Sequence, residues 1–405
     1  MSEDHPAAWF SDDAVPMDQL RDRAFNQRWA QQPAGVIPLT AADPDFAVCP
    51  AVQDALVRHV RDGVLGYAPP EGLPSFREAV AEWMRDTRGI DCRADQVFAA
   101  DSAASALAVV ARASLEAGDE VLIPDPVDFL FEHTVRRAGA VAVRVPVHRG
   151  MPAEAFIDAM ASRLGPRTRM LWLCNPHNPL GAVHDAAWLA AVAGWAVARG
   201  LKILSDEIWS DIVYAPSHHT SVAALSADIA PHVVTVHGFS KNFGLAGLRV
   251  GFVLCTDPGW LRRIVDAADA PSTVYGVSVL SQVAATAAIR HGGPWLKAFV
   301  AHLQGQRDYA VQRFLQWPGV NVEAPQGTYV VLPDIRALGL GAEDLCRHLL
   351  ADARVALVPG SAQWFGPGAQ GHVRLCFATS RRILAQAFDR MDPVVRSLAG
   401  NARTA

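Results

Sequence analysis

Short apolar runs alternate with longer stretches of helical periodicity through the middle of the sequence. The runs EVLIP (120–124), MLWLC (170–174), LKILS (201–205) and VVTVH (233–237) have the composition and length of buried strands. Helix-like stretches such as DAAWLAAVAGWAVARG (185–200) lie between them. This alternation predicts an α/β fold in which helices cover both faces of a mostly parallel sheet.

Turn-forming and ionisable residues follow each of these runs. Ligands of parallel sheets bind beyond the carboxyl ends of the strands, so residues that follow separate strands are expected to meet at one edge. The sequence therefore predicts a ligand site there before any motif is considered. The residues are Asp125, Pro126, Asp128 and Phe129, then Asn175 to Pro179, then Asp206 and Glu207, and finally Ser240 and Lys241.

The chain of 405 residues is long enough for two or three domains. Residues 1–45 lack strong periodicity apart from an expected short helix at 17–30, and we expect them to form an arm that packs with the C-terminal part. Residues 46–280 carry the alternating pattern of a large domain. The pattern of residues 281–405 predicts a smaller α+β domain, because a long helical stretch breaks at Gly292–Pro294 and short strand-like runs follow.

The charge balance argues against two classes of partner. Lys and Arg number 36 against 41 Asp and Glu, which gives a net charge of −5 without an obvious block of like charge. Neither nucleic acid nor an anionic membrane is therefore expected. The sequence has no apolar run long enough to span a bilayer and its acidic N-terminus lacks a signal core, which favours the cytoplasm.

Neither disulfides nor a metal site is predicted. The six cysteines are scattered without a CxxC pair, and several lie in apolar runs where free thiols pack as small hydrophobic groups. The adjacent His218 and His219 lack the spacing of metal ligands. The chain is expected to work without a bound metal ion.

Lys241 stands just beyond the strand-like run at 233–237, where a lysine is either a solvated charge or a nucleophile. Asp206 stands at the end of another run. Such a pair is what pyridoxal 5'-phosphate (PLP) requires. The lysine amine forms a Schiff base with the cofactor aldehyde, and the aspartate keeps the pyridine nitrogen protonated so that the ring absorbs electrons from a substrate carbanion.

Two groups of motifs are present. The first consists of NPHNPLG, SDEIW, SKNFGLAGLRVGF and HVRLCFA, and the second of GYAPPEGLPSFREAVAEWM, HGGPWLKAF and PQGTY. The first group, in this order and spacing, resembles the fold-type-I PLP-dependent enzymes of the class I/II aminotransferase family. The second is similar to the branch that contains the cystathionine β-lyase-type C–S lyases. The resemblance begins near residue 35 and implies a large domain with a mostly parallel mixed sheet between helices, plus a smaller α+β C-terminal domain.

The resemblance implies roles for the residues around the cofactor ring. Lys241 would form the Schiff base and then act as general acid and base at the substrate α-carbon. Asp206 would pair with the pyridinium nitrogen, and Asn178 would hydrogen-bond the ring hydroxyl. Arg374 would bind the substrate α-carboxylate bidentately, with Asn178 and Asp128 also among the substrate-binding residues.

A second set of residues would hold the cofactor phosphate. The resemblance assigns Ser240 and Arg249 to this dianion, which suits an arginine fork. It also places the backbone N–H groups of Ser102, Ala103 and Ala104 beneath the phosphate, at the start of a helix.

Tyr67 matches a tyrosine that, in the family, reaches the phosphate in the neighbouring subunit. The match implies a homodimer with shared active sites and an amino acid as the small-molecule substrate.

Three positions depart from the family pattern. Trp209 stands where a tyrosine or histidine is common, and it either alters the tuning of the ring hydroxyl or packs on the first turn of a helix. Asp128 stands where an aromatic residue usually stacks on the ring, so either Phe129 takes that place or the carboxylate contacts a basic or otherwise polar substrate. Gly238 replaces a frequent phosphate-binding serine, for which His237 is a candidate substitute.

The expected activity is that of a PLP-dependent aminotransferase, in which the substrate amino acid forms an external aldimine and Lys241 abstracts its α-proton. The alternative is β-elimination by a cystathionine β-lyase-like C–S lyase, which uses the same residues. A specialised biosynthetic reaction, such as oxidative deamination, γ-elimination or cyclisation, stays open because of Asp128 and Trp209. A regulator fused to a DNA-binding domain is not favoured, since no helix-turn-helix segment precedes residue 45.

Overall fold

A computed structural model of the protein describes residues 6–24, 26–272 and 276–402. The runs expected as strands are extended, each within one or two residues of its predicted ends. In the described residues the strands are β1 (Ile37–Pro38), β2 (Val97–Ala100), β3 (Glu120–Asp125), β4 (Val141–Pro146), β5 (Thr168–Cys174), β6 (Lys202–Asp206), β7 (Val233–Gly238), β8 (Gly251–Cys255), β9 (Val330–Val331), β10 (Val355–Ala356), β11 (Val358–Pro359) and β12 (Val373–Cys376).

The central sheet has the strand order β2-β8-β7-β6-β5-β3-β4. Strand β8 runs antiparallel to both of its neighbours, and the remaining pairs are parallel. Successive residues of β7 and β8 are buried, as expected of strands that are covered on both faces. The predicted α/β fold with a mostly parallel mixed sheet is confirmed.

Helices flank this sheet and continue into the C-terminal part. Helix–helix packing joins α3 to α4 and α7, and α5 to α6. No helix among the described residues is both long and apolar enough to cross a bilayer. The helices are α1 (Pro50–Asp62), α2 (Pro74–Arg88), α3 (Ala103–Ser114), α4 (Leu130–Arg137), α5 (Ala153–Ala161), α6 (Ala186–Val197), α7 (Pro258–Ala267), α8 (Val279–His291), α9 (Gly293–Phe314), α10 (Ala342–His348) and α11 (Arg381–Ala402).

The C-terminal part contains its own small sheet. Strands β11, β12 and β9 pair antiparallel in that order. Helix α8 packs on α1 and α2, whereas α9 packs on α11, so the predicted break at Gly292 separates two helices with different surroundings. The division into domains at residues 45 and 280 stays a prediction.

Residues of the N-terminal segment contact residues of the C-terminal part. Strand β1 pairs in parallel with β10, and the ring of Phe10 stacks on Phe299 of α9 at a centroid distance of 5.3 Å. Helical backbone covers residues 17–23, so the helix expected at 17–30 begins where predicted and ends earlier. The side-chain oxygen of Asn26 accepts hydrogen bonds from the backbone N–H groups of Arg28 and Trp29. In a continuing helix these N–H groups would instead donate to backbone carbonyls.

Candidate active site

A cleft of about 400 Å³ lies at the carboxyl ends of β3, β5, β6 and β7. It brings together every site residue that the sequence predicted, with the exception of Tyr67. These lining residues are Ser102, Ala103, Ala104, Asp128, Phe129, Asn178, Asp206, Trp209, Ser240, Lys241, Arg249 and Arg374.

Lys241 lies in the turn after β7. Its Nζ donates a hydrogen bond to the carbonyl of Ala42 at 2.6 Å and lies 5.4 Å from the centroid of the Trp209 ring. Burial lowers the pKa of this amine, although Asp43 and Asp128 oppose the shift. A lowered pKa increases the fraction of unprotonated amine, which is the nucleophilic form.

Asp206 is the last residue of β6, and the strand register pairs it with Cys174 of β5 and Val236 of β7. Its Oδ1 accepts the backbone N–H of Ile208 at 3.1 Å. Burial raises the pKa of its carboxyl to about 7, and the charge of Asp128 adds to that shift. A buried carboxyl of this kind favours a cationic partner, which would restore its ordinary ionised form.

A buried polar cluster next to Asp206 was not recognised in the sequence. Glu207 Oε1 accepts hydrogen bonds from the hydroxyls of Ser205 and Ser221, each at 2.8 Å, and Oε2 lies 3.1 Å from His219 Nε2. Burial alone would raise the pKa of Glu207, but these hydrogen bonds hold it below its usual value. The cluster keeps a second charged carboxylate beside Asp206.

Arg374 enters the cleft from β12, and two hydrogen bonds fix its guanidinium. Nη1 donates to Asn178 Oδ1 at 3.3 Å, and Nη2 donates to the carbonyl of Thr40 at 2.9 Å. The ring of Phe365 lies beneath it, 5.0 Å from the guanidinium carbon. Its Nε is buried and has no hydrogen-bond partner among the residues that the structure describes. Thr40 and Phe365 are contacts that the sequence analysis missed.

Asp128 and Phe129 point to different partners. Asp128 Oδ2 accepts a hydrogen bond from Asn178 Nδ2 at 2.9 Å, and Oδ1 accepts the backbone N–H of Leu130 at 3.1 Å. The ring of Phe129 packs edge-to-face against Trp364 at a centroid distance of 5.7 Å. Both residues line the cleft, and their contact with the cofactor or the substrate stays a prediction.

The opposite end of the cleft is suited to an anion. Ser102 caps α3, because its hydroxyl accepts the backbone N–H of Ser105 at 3.1 Å. Arg249 Nη2 donates to the Ser102 hydroxyl at 2.9 Å. The positive end of the helix dipole and the guanidinium therefore face the same space, as a phosphate would require.

Two glycines allow β7 and β8 to approach the N-terminus of α3. A Cβ atom at Gly238 would lie 3.2 Å from the backbone nitrogen of Ala103. A Cβ atom at Gly251 would lie 2.6 Å from the carbonyl oxygen of His237 and 3.1 Å from the Ala103 nitrogen. The departure at Gly238 is explained, because any side chain there would crowd the start of the helix.

Two expectations about the other departures need correction. His237 does not replace a phosphate-binding serine, because its buried ring lies with Nδ1 2.8 Å from the Glu207 carbonyl and Nε2 3.6 Å from Asp211 Oδ2. Trp209 does not stand on the first turn of a helix, since residues 208–211 form a turn. Its buried indole packs edge-to-face on Tyr329 and also lines the cleft.

Tyr67 is not brought to the cleft of its own chain. It is 96% exposed, in the segment between α1 and α2, and lines a separate surface hollow with Leu65 and Pro69.

The family model for aminotransferase class I and II matches residues 34–391. The chain belongs to the class I and II aminotransferase family. Its fold and motifs are those of this family of PLP-dependent enzymes, which includes aminotransferases and related C–S lyases.

Relatives of this aminotransferase-family enzyme match most of its length. It is 31% identical to the probable aspartate/prephenate aminotransferase of Aquifex aeolicus over 370 residues, 90% of this chain and 92% of that protein. It is 29% identical to the cystathionine β-lyase PatB of Bacillus subtilis over 360 residues, 88% and 91% of the two chains. A PLP-bound crystal structure from Clostridium difficile 630 matches with a TM-score of 0.85 and 25% identity, covering 93% of this chain and 97% of that one.

The aminotransferase-family cleft fits PLP chemically. Asp206 offers a buried carboxyl to a pyridinium, and Lys241 offers an amine of lowered pKa to an aldehyde. Arg249 and the capped start of α3 at Ser102 offer positive charge to a phosphate, and Gly251 lets β8 lie close to that start.

Proposed function

We propose that the protein transfers an amino group between an amino acid and a keto acid. The observation that supports this most is that the amine of Lys241 and the guanidinium of Arg374 enter one cleft, with Asn178 hydrogen-bonded to the guanidinium. When bound, PLP supplies an electron sink for the negative charge left at the substrate α-carbon. The chain then needs to supply a base and a receptor for the α-carboxylate.

Lys241 is assigned the role of the base. Its Nζ takes the α-proton of the substrate and holds it for return to the product. Two features support this role, namely the lowered pKa of the amine and its position in the cleft with Asp206.

Arg374 is assigned the role of receptor for the α-carboxylate of the substrate. Its bonds to Asn178 and Thr40 leave other guanidinium N–H groups to donate, so a carboxylate would meet a guanidinium whose orientation is already fixed. Asn178 would also donate to the ring hydroxyl, because its amide nitrogen carries two hydrogens and Asp128 takes one of them.

The remaining cleft residues are proposed to hold the cofactor. Asp206 would pair with the ring nitrogen, Trp209 would lie beside the ring, and Phe129 or Asp128 would lie over it. The proposed phosphate ligands are Ser102, Ala103, Ala104, Ser240 and Arg249.

The protein is further proposed to be a cytoplasmic homodimer. Exposed apolar side chains cluster on the C-terminal half of α1 and the segment after it, including Val60, Val64 and Leu65, which is typical of an interface. Tyr67, next to them, would then reach the cleft of the second copy. The six cysteines are free, as in a reducing compartment.

β-Elimination is the second candidate function. The 29% identity to a cystathionine β-lyase supports it, and the same base and carboxylate receptor would serve it.

One experiment separates the two functions. The PLP-loaded protein is mixed with each of a panel of amino acids without any keto acid, and the absorbance and the products are followed. Transamination predicts one equivalent of keto acid per site and loss of the absorbance near 420 nm, because the amino group stays on the cofactor. Continuous release of ammonia and pyruvate would support elimination instead, and oxygen consumption would point to a specialised oxidative reaction.

A further inference from the structure

Each cation that lines the cleft is assigned a role that does not depend on the side chain of the substrate. In the described part of the chain, those that line it are Lys241, Arg249 and Arg374. Lys241 is assigned the role of the base, Arg249 donates a hydrogen bond to Ser102 at the proposed phosphate end, and Arg374 is assigned the α-carboxylate. None of these three cations of the same chain is left to receive a second carboxylate on the side chain of a substrate.

Asp128 adds a negative charge on the substrate side of the cleft. Its carboxylate bonds Asn178, which in turn bonds Arg374, so these three side chains form a continuous chain from cation to anion. The charge of Asp128 acts on both Arg374 and Lys241. A second carboxylate on a substrate held by Arg374 would be repelled by this anion. Each Asp128 oxygen already accepts one hydrogen bond, from Asn178 or from the backbone of Leu130, so a basic side chain would have to share these oxygens with the protein.

An aromatic rim, formed by Phe129 and Trp364, lies beside these groups. Each of the two side chains is 38% exposed, although both belong to residue types that are usually buried. The rim is held rigidly, because the backbone N–H of Phe129 donates to the Trp364 carbonyl at 2.9 Å and that of Val127 donates to the Phe365 carbonyl at 2.9 Å. Gly368 adds a third bond, from its N–H to Asp125 Oδ1 at 3.1 Å.

The rim is connected to the carboxylate receptor. Phe365, next to Trp364, lies under the guanidinium of Arg374, and Phe129 itself lines the cleft. A substrate held by Arg374 therefore shares the cleft with the partly exposed ring of Phe129, and Trp364 extends this apolar surface beyond the residues that line the cleft.

We propose that the cleft selects monocarboxylic amino acids with an uncharged, apolar side chain, which packs against Phe129 and Trp364 while Asp128 disfavours dicarboxylic substrates. This specificity rests on the proposed function, in that it takes Arg374 as the receptor of the α-carboxylate. It makes Asp128 and Trp364 specificity-determining residues, one by repulsion and one by contact.

A binding experiment without turnover tests the specificity. Hydrocinnamate, maleate and 4-guanidinobutyrate carry an apolar, an anionic and a cationic group, respectively, at a distance from one carboxylate, and none has a primary amine that could react with the cofactor aldehyde. We expect calorimetry with the PLP-loaded protein to show hydrocinnamate binding at least about ten-fold tighter than the other two. Tighter binding of maleate or of 4-guanidinobutyrate would overturn the proposal.

Three variants locate the effect. Trp364→Ala should weaken the binding of hydrocinnamate about ten-fold and leave the binding of acetate unchanged, and Trp364→Phe should retain most of the affinity for hydrocinnamate. Asp128→Asn should increase the affinity for maleate relative to that for hydrocinnamate. Unchanged hydrocinnamate affinity in a folded Trp364→Ala protein would contradict the assigned contact. If hydrocinnamate binds most tightly while no amino acid is transaminated, the proposed reaction is wrong and the proposed specificity stands. If an amino acid is transaminated while maleate or the cationic probe binds most tightly, the reaction stands and the specificity is wrong.

Discussion

Arg374 and Asn178 are 196 positions apart in the chain, yet Nη1 of the arginine donates to Oδ1 of the asparagine at 3.3 Å. The other guanidinium nitrogen donates to the carbonyl of Thr40, in the N-terminal arm. The arm, the central sheet and the C-terminal sheet thus meet at one side chain. Its orientation depends on all three, so it can be rigid before any substrate arrives.

Replacing this guanidinium should damage substrate binding. We expect Arg374→Ala to lower kcat/KM by roughly a hundred-fold or more, because truncating one partner of a buried charged contact costs about 2–5 kcal/mol. Steady-state kinetics with the best amino acid of the panel measure it. Arg262→Ala, on the exposed face of α7, is the matched control and should have no effect. Equal effects of the two substitutions would show that the cleft does not use Arg374.

The carboxyl of Asp206 should make the stability of the cofactor-free protein depend on pH. Its pKa in the folded state is about 7, above the ordinary value of 3.8. Between these values the folded protein holds a proton that the unfolded chain has released, so the free energy of unfolding falls as pH rises through this window.

Asp206→Asn removes this group, so the variant should lose less stability than the parent between about pH 5 and pH 8. At about pH 8 it should be the more stable protein, by an amount on the order of a few kcal/mol. Urea denaturation of the cofactor-free proteins at several pH values measures the difference. Parallel pH profiles would contradict a raised pKa at Asp206.

Gly251 should be required for cofactor binding. An alanine Cβ there would lie 2.6 Å from the His237 carbonyl oxygen of β7 and 3.1 Å from the Ala103 nitrogen, so β8 would have to move away from β7 and from the start of α3. We expect Gly251→Ala to lower the free energy of unfolding by about 1–3 kcal/mol and to weaken PLP binding. Gly194→Ala in α6, where a Cβ meets nothing within 4 Å, is the control and should stabilise slightly. Unchanged PLP affinity in Gly251→Ala would show that the phosphate does not bind at this point.

Tyr67 should act across the dimer. We expect Tyr67→Ala and Lys241→Ala each to lower activity, the first through weaker cofactor binding. A mixture of the two, unfolded and refolded together, should recover activity, because one site of each mixed dimer combines an intact Lys241 with an intact tyrosine from its partner. No recovery above the sum of the separate variants would mean that Tyr67 serves its own chain or no site.

The sequence predicted those site residues that follow strands. Asp206, Asn178 and Lys241 each come after an apolar run, and parallel strands deliver such residues to one edge regardless of the details of packing. The same reasoning found Asp128 and Phe129 but could not orient them. Their directions depend on backbone bonds to the segment around Trp364, more than 200 residues away.

The contacts that the sequence could not reveal are of a different kind. The carbonyls of Thr40 and Ala42 bind Arg374 and Lys241 through the backbone, and a carbonyl carries no sequence signal. The pairing of Glu207 with His219 depends on how the chain folds back after β6. His237 failed as a candidate because alternation along β7 does not show which partners surround a buried ring.

The most direct test of the assignment asks which lysine binds the cofactor. The sequence contains three lysines, Lys202, Lys241 and Lys297. The PLP-loaded protein is reduced with borohydride, digested and analysed by mass spectrometry, with Lys297→Ala as a control that should behave as the parent. We predict that the cofactor mass is found on the peptide containing Lys241 and is absent from the Lys241→Ala protein. Cofactor on Lys202 or Lys297, or on no lysine at all, would contradict the site described above.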